Sequence, residues 1–531
     1  MKKIHSLLIS ILTLSLLAGC GAASGGNATS AGNTQMVSGT EIQFSDSELT
    51  ASSTSGVTID GTALTITAPG TYVLSGSCTD GSVKVEKGVD GVTLVLNGLT
   101  LTSETTAPIL CGKGSAVTIE AADGTENTLT DTEENNADTG SVNGENAVIK
   151  CKDGSRVVLC GAGTLNIQAN GKNGIKSGTA TADGEASLTI RELTLNIDAP
   201  VNDAVNAEAA LEVESGDLTL SAGDDALHCD YTLNIGAEGT DGPNVTITAC
   251  NEGLEGAAVN VFSGNVSIQS TDDCINAANA DLTDFAYALN ISGGTITAHS
   301  DSGDGFDSNG DLTISGGHVT VWTANAADNE PLDADGTVTV SGGTVLAAGG
   351  SSGMGMNLVA SQPCVIFGGD TAGRLGGHTP PEQPNGEERS SGNEQPDGPQ
   401  QPNGETQPAG GGFPGGASLL TRGSDFTIVN SDGTALYTGE AGCDASFVFF
   451  SSGDLSEGES YTLSSGETQT ESAARTGTVS IGMGNMGGPG GQKPDGAPPS
   501  GGFNGPKPEG STPRAKPEGE NIPNNGSDAK A

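Results

Sequence analysis

The sequence predicts an all-β protein: a right-handed parallel β-helix with a small C-terminal β cap and disordered Gly/Pro-rich segments. Three observations predict it. The first is a recurring phrase, seen as Asn202-Asp203-Ala204-Val205-Asn206, Asp224-Asp225-Ala226-Leu227-His228, Asn251-Glu252-Gly253-Leu254-Glu255, Asp272-Asp273-Cys274-Ile275-Asn276, Gly303-Asp304-Gly305-Phe306-Asp307 and Glu330-Pro331-Leu332-Asp333. Weaker copies sit around Ile175 and Val148. The apolar anchors 148, 175, 205, 227, 254, 275, 306 and 332 recur about every 26 residues, a period that marks a repeat architecture. The second is the sequence between anchors. Runs such as Leu193-Thr194-Leu195-Asn196-Ile197 and Val319-Thr320-Val321 alternate apolar and polar residues, as half-buried strands do. Glycine pairs at 293–294, 316–317 and 342–343 supply the corners. The third is composition. Glycine makes up 83 of 531 residues and aromatics only 3%, which suits thin coils filled by small branched side chains. A Greek-key sandwich is the main rival, but its strands have no reason to repeat one acidic phrase at the same place in each unit.

The elements follow in order. Lys2 and Lys3, an apolar run from Leu7 to Leu17, and Leu17-Ala18-Gly19-Cys20 read as a lipoprotein signal over residues 1–19. Cys20 is then the lipid attachment point, anchoring an exported protein to the membrane at the bacterial cell surface. Residues 20–40 are a Gly/Ser/Asn/Thr tether. Residues 41–368 carry the coil stack, interrupted by an acidic loop from Asp131 to Asn146. Residues 369–416 are Pro/Gly/Glu/Gln-rich and predicted disordered. Strand-like sequence returns at 417–466, where Phe447, Phe449 and Phe450 are too apolar to stand alone, so this piece is expected to cap the open end of the stack. Residues 467–531 read as a low-complexity tail.

Net charge is −46 with a pI near 4.1, which excludes nucleic acid and anionic membrane surfaces as partners. Nine cysteines follow Cys20 without any CxxC pair and read as small core residues, at least one of them free. His228, His299 and His318 lack any partner pattern and are expected at the surface.

From Glu192 to Gly373 there is no Lys or Arg, against 27 Asp and Glu. In a β-helix, equivalent positions stack about 4.8 Å apart. Asp203, Asp225, Glu252, Asp273 and Asp304 form one such row; Asn206, His228, Glu255, Asn276, Asp307 and Asp333 form a second. Stacked carboxylates repel, and a hard divalent cation relieves the repulsion. Calcium is the expected cofactor, with Asp203, Asp224, Asp225, Glu252, Asp272, Asp273, Asp304 and Asp307 as candidate ligands. The competing account needs no metal: Asp and Asn at corners bond the local backbone, and amide ladders stabilise stacked strands. No EF-hand spacing is present.

Thr58-Ile59-Asp60-Gly61, Thr71-Tyr72-Val73-Leu74-Ser75-Gly76, Val92-Thr93-Leu94-Val95-Leu96-Asn97-Gly98 and Glu126-Asn127-Thr128-Leu129-Thr130-Asp131 resemble an exported bacterial β-helix family, the carbohydrate-binding domain-containing proteins. The acidic phrases and Ser460-Tyr461-Thr462-Leu463 match as well, so the resemblance covers residues 45–466 apart from the 369–416 insertion. It implies a surface lipoprotein with a polysaccharide-lyase-like fold that carries calcium and binds cellulose and pectin-like polysaccharide. The function expected is therefore non-catalytic polysaccharide binding. A calcium-dependent lyase is the alternative, weakened because the acidic segment holds no Lys or Arg base; Lys150, Lys152, Lys172, Lys176 and Arg191 lie just upstream. An adhesin or surface spacer is the third class. The single tryptophan, Trp322, is out of phase with Val319 and Val321, so it is the candidate sugar-stacking residue.

Overall fold

A computed structural model describes residues 38–180, 186–279, 282, 285–324, 329–349, 356–368 and 418–481. The signal segment, Cys20, the 369–416 insertion and the chain beyond 481 lie outside the described residues. The described chain forms a parallel β-helix, a stack of coils with three strands each. One complete coil reads Val205–Ala207, Ala210–Val213 and Asp217–Ala222. Strand by strand, these pair in parallel with the coils below and above, giving three sheets that run the length of the stack.

The first sheet carries the repeated phrase. Its register aligns Ile175, Val205, Leu227, Leu254, Ile275 and Phe306, with Leu332 bridged to Phe306 at the end. All seven are fully buried and form one interior row. The upstream copy is displaced by one residue: Ile149, not Val148, pairs with Ile175. Ala147, Val148 and Ile149 are all buried, so hydrophobicity alone does not reveal the register there. The small residue before each anchor has a steric cause. A Cβ on Gly253 would stand 2.4 Å from the Cys274 carbonyl oxygen, and one on Gly305 2.4 Å from that of Pro331. At the corners of the Gly-Gly pairs, Gly294, Gly317 and Gly343 take φ near +80°, the left-handed region that favours glycine.

The outer faces of the second and third sheets are laced by amides. Asn290 donates to Asn260, Asn260 to Asn234 and Asn234 to Glu212, each within 3.0 Å. Asn265, Asn244 and Asp217 make a parallel ladder, as do Asn196, Asn166 and Glu126. An amide both donates and accepts, so it satisfies the coil on either side. All nine cysteines after Cys20 are buried as thiols.

Both ends of the stack are closed. At the N-terminal end, Thr40–Phe44 pairs with Gly70–Cys78 and buries Ile42 and Phe44. At the other end, Phe447–Ser452 runs antiparallel to Thr344–Gly349 and also to residues 364–368. Phe447 and Phe449 enter the main core; Val448 and Phe450 enter a second core outside the coils. That second core is covered by a four-stranded antiparallel sheet built from Asp425–Asn430, Ala435–Glu440, Ser460–Ser465 and Thr468–Ala473. Strand structure therefore continues past 466, against the tail expected there. Thr468–Ala473 is polar throughout because it is an exposed edge strand, and Arg475–Ile481 pairs with Met356–Gly368 and buries Val479 and Ile481.

Phe306 sits between Ile275 and Leu332 in the interior row. Phe306→Ala is expected to cost about 3–5 kcal/mol by cavity creation, read as a lower denaturation midpoint by circular dichroism and by the emission of Trp322, buried at the C-terminal end of the stack.

Candidate functional site

The residues flanking each interior anchor lie on the outer edge of the first sheet, and they form the two rows read from the sequence. Asn206, His228, Glu255, Asn276 and Asp307 are in direct register on successive coils. The same row extends upstream to Lys176, which follows the anchor Ile175, and to Lys150, which the phrase alignment reaches once Ile149 is taken as the anchor. It thus begins basic and becomes acidic. Lys176 contacts the Asn206 amide oxygen at 2.7 Å and Glu208 at 3.3 Å. Burial, reinforced by the Lys176 charge, holds the Lys150 ammonium below the usual lysine range.

The other row holds the coils together through the backbone. Asp203 Oδ1 accepts the Asp225 N–H at 3.2 Å, Asp273 Oδ1 the Asp304 N–H at 2.6 Å, and Asp304 Oδ1 the Glu330 N–H at 2.5 Å. Part of the metal-free account is therefore realised. The remaining carboxylate oxygens are the difficulty, because a carboxylate has no N–H to hand to its neighbour and cannot form the ladder that the amides form.

Three groupings answer that difficulty differently. In the middle of the stack, His228 Nδ1 meets Asp225 Oδ2 at 3.1 Å and also Glu255, while Nε2 meets Asp230 Oδ1 at 3.3 Å. Burial alone would lower the imidazole pKa, but Asp225, Asp230 and Glu255 together drive it well above the usual range, which favours the imidazolium form. Glu255, despite its burial, is held low by His228, whereas Asp225 is pushed up to about 9 by burial and by the Glu255 charge. His228, expected as a surface histidine, is the internal counter-ion that the absence of Lys and Arg hides from view. Its occupation of this cluster makes Asp225, His228 and Glu255 a poor calcium cage, since calcium prefers oxygen donors.

The two other groupings are all-oxygen. Carboxylate oxygens of Asp203, Asp224 and Asp225 lie within 4.8 Å of one another, as do those of Asp304, Asp307 and Asp333. These sets fit a hard cation. Beside the second, the Asn276 amide oxygen is buried with no hydrogen-bond partner among the described residues, an acceptor in want of a proton or a cation. Asp333 was legible as a member of the row but not as a ligand. Of the other expected ligands, Glu252 and Asp273 stay outside both triads. Glu252 accepts from the Asn276 amide at 3.0 Å and Asp273 from the Asp304 backbone. Asp272 is exposed and joins neither group. Burial followed by neighbouring negative charge raises Glu252 to about 7, Asp273 to about 8 and Glu330 to about 8.

Trp322 is a correction. It does face outward from the third sheet, but the C-terminal sheet covers it. It is only 4% exposed, edge-on to Phe426 at 5.9 Å, and unavailable to a sugar. A shallow groove of about 380 Å³ lies elsewhere on the third sheet, floored by Asn166, Gln168, Asn196 and Asp198. It lacks aromatic side chains and is separate from the acidic rows.

A parallel β-helix with one carboxylate-lined edge and closed ends is the class of protein that this fold and site define. The family described as carbohydrate-binding domain-containing protein matches residues 60–353 and 239–436, and the chain belongs to that family. A carbohydrate-binding domain-containing protein of Acetivibrio thermocellus is 36% identical over 121 residues, 23% of this chain and 42% of that relative; the chain thus matches less than half of the relative's length. A solved polysaccharide lyase-like protein from C. thermocellum, a gadolinium derivative, has 22% identity and a TM-score of 0.32, with 58% of this chain and 93% of that chain covered.

The raised carboxyls fix the sign of a pH dependence. A carboxyl whose folded pKa exceeds its unfolded value contributes stability that is full below the unfolded pKa, about 4, and is lost as pH rises through the folded values. With Glu252 at about 7, Asp273 and Glu330 at about 8 and Asp225 at about 9, the melting temperature in chelator is expected to fall between pH 6 and pH 9. Thermal scans by circular dichroism check this. A rise over that interval would contradict the burial of these carboxyls beside one another.

Proposed function

We propose that this protein binds polysaccharide without cleaving it, at the surface of a bacterial cell, through the carboxylate edge of its β-helix. The observation that carries the reading is the pair of all-oxygen triads, Asp203/Asp224/Asp225 and Asp304/Asp307/Asp333, on one edge of a chain of carbohydrate-binding family. Calcium held by those residues would supply positive charge to an otherwise anionic face, so that an acidic, pectin-like glycan is attracted to it. The stack fixes the two triads on one rigid scaffold, which favours a repeating ligand over a compact one. The lipobox supports export and lipid anchoring through Cys20, with residues 20–40 as the tether.

A lyase is the second reading, and one observation favours it. Lys150, its pKa depressed by burial and by Lys176, lies in the row that becomes the acidic edge. A lysine poised in that way is suited to remove a proton α to a uronate carboxylate. Against it stands the position of Lys176, which is tied to Asn206 and Glu208.

Millimolar calcium is expected to raise the melting temperature, by an amount corresponding to about 2.7 kcal/mol at a hundredfold excess over Kd, and sodium at equal ionic strength is not. Asp224→Asn and Asp333→Asn should each remove part of the gain, while Asp272→Asn, outside both triads, should not. Chelator should abolish retardation of the protein in polygalacturonate gels. Equal melting temperatures in calcium and chelator would end the metal reading. Growth of ultraviolet absorbance from unsaturated uronate, lost in Lys150→Ala, would move the assignment to the lyase.

A further inference from the structure

With Trp322 buried, the surface aromatics lie elsewhere. Among the described residues Tyr231 is the only aromatic in the set of exposed large apolar side chains, at 37% exposure. It occupies the corner where the chain leaves the first sheet after Leu227, His228 and Cys229 and enters the second at Thr232. Its neighbour Asp230 is the carboxylate that reaches His228 Nε2 at 3.3 Å, so the ring stands directly beside the acidic edge.

Tyr231 does not stand alone. At the corresponding corner of the next coil Ala257 alone stands opposite Asp230 and Tyr231, between Gly256, paired with Cys229, and Ala258, paired with Thr232. The corner after that carries a longer connection between Ile275–Ala277 and Ala288–Ile291, of which Asn279, Phe285 and Tyr287 contact the coil of Tyr231 or one another. Asn279 Nδ2 donates to the Asp230 carbonyl at 2.8 Å, which ties the connection down two coils away. It thereby delivers Phe285 against Tyr231, ring centroids 6.3 Å apart and edge-on at 69°, and Tyr287 against Phe285 at 5.7 Å. The Tyr287 hydroxyl donates to the carbonyls of Asn279 and Leu282 within 2.9 Å, fixing its own ring. A chain with 3% aromatic residues has thus gathered three of them at one surface corner, with Tyr231 37% exposed.

We infer that Tyr231 is a stacking platform for a pyranose ring of the bound polysaccharide, with Phe285 and Tyr287 holding it in place. The inference rests on the polysaccharide reading above and adds the residue that supplies its apolar contact. A pyranose presents a face of axial C–H bonds to an aromatic ring, while its hydroxyls turn toward polar groups at the rim. Here the rim is Asp230 and the row beyond it. No aromatic ring lines the groove on the third sheet, so it offers no stacking platform of this kind. The shared chemistry is the C–H face of a 1,4-linked pyranose, which both galacturonan and cellulose chains possess.

The test uses the full chain in calcium, with polygalacturonate and cello-oligosaccharides as separate probes in titration calorimetry. Tyr231→Ala is expected to weaken binding of at least one probe about tenfold, and Tyr231→Phe to stay within about twofold, because the ring rather than the hydroxyl makes the contact. Calcium-induced stabilisation should be the same in both variants. Tyr231→Trp adds a fluorescent reporter to the buried Trp322 and should change its emission as glycan saturates; it carries the test if Tyr231→Ala folds poorly. Wild-type binding that Tyr231→Ala leaves intact, or a Tyr231→Trp emission unmoved at saturation, overturns the platform and leaves the polysaccharide reading standing. Failure of the wild-type protein to bind either probe overturns both.

Discussion

The register of parallel strands is the constraint on which everything else rests. Hydrogen bonding between coils fixes the spacing at about 4.8 Å and sets each residue over its counterpart. Inward positions profit, because Val205, Leu227, Leu254, Ile275 and Phe306 fill one dry row. Outward positions have no choice of neighbour. An amide over an amide satisfies both, as on the second and third sheets. A carboxylate over a carboxylate satisfies neither, and the first sheet must resolve that conflict coil by coil.

It does so by several means. Backbone N–H groups take one oxygen of Asp203, Asp273 and Asp304. His228 offsets the charge at the centre, where it contacts Asp225, Asp230 and Glu255. Lys150 and Lys176 end the row at its basic side. What these leave over is two clusters of carboxylate oxygens, the ones proposed above to hold a cation. The candidate function follows from residual electrostatics rather than from a pocket.

Much of this was legible in the sequence because a repeat prints its own alignment. The acidic phrase located the anchors and the rows before any coordinate. It failed where the pattern lost contrast. Ala147-Val148-Ile149 offered three apolar candidates for one position, and the slip of one residue concealed Lys150. The strand at 468–473 was missed because an edge strand in water need not alternate. Trp322 was oriented correctly and still misjudged, since no local pattern tells that a sheet encoded a hundred or so residues downstream lies on top of it. Tyr231 and Phe285 could not be linked from sequence either; they meet across two coils, where Asn279 bonds the Asp230 carbonyl.

The closing strand has a consequence for how the protein is made. Thr344–Gly349 presents the open edge of the third sheet, and its partner, Phe447–Ser452, leaves the ribosome roughly a hundred residues later, several seconds at ordinary rates of synthesis. Without that strand the last coil would have a bare edge of parallel register. The strand that finally covers it runs antiparallel, so it completes the sheet without offering the next coil a template of the same direction. Chain growth thus ends in a direction reversal, and two newly made molecules are denied the head-to-tail continuation that would turn a stack of coils into a filament.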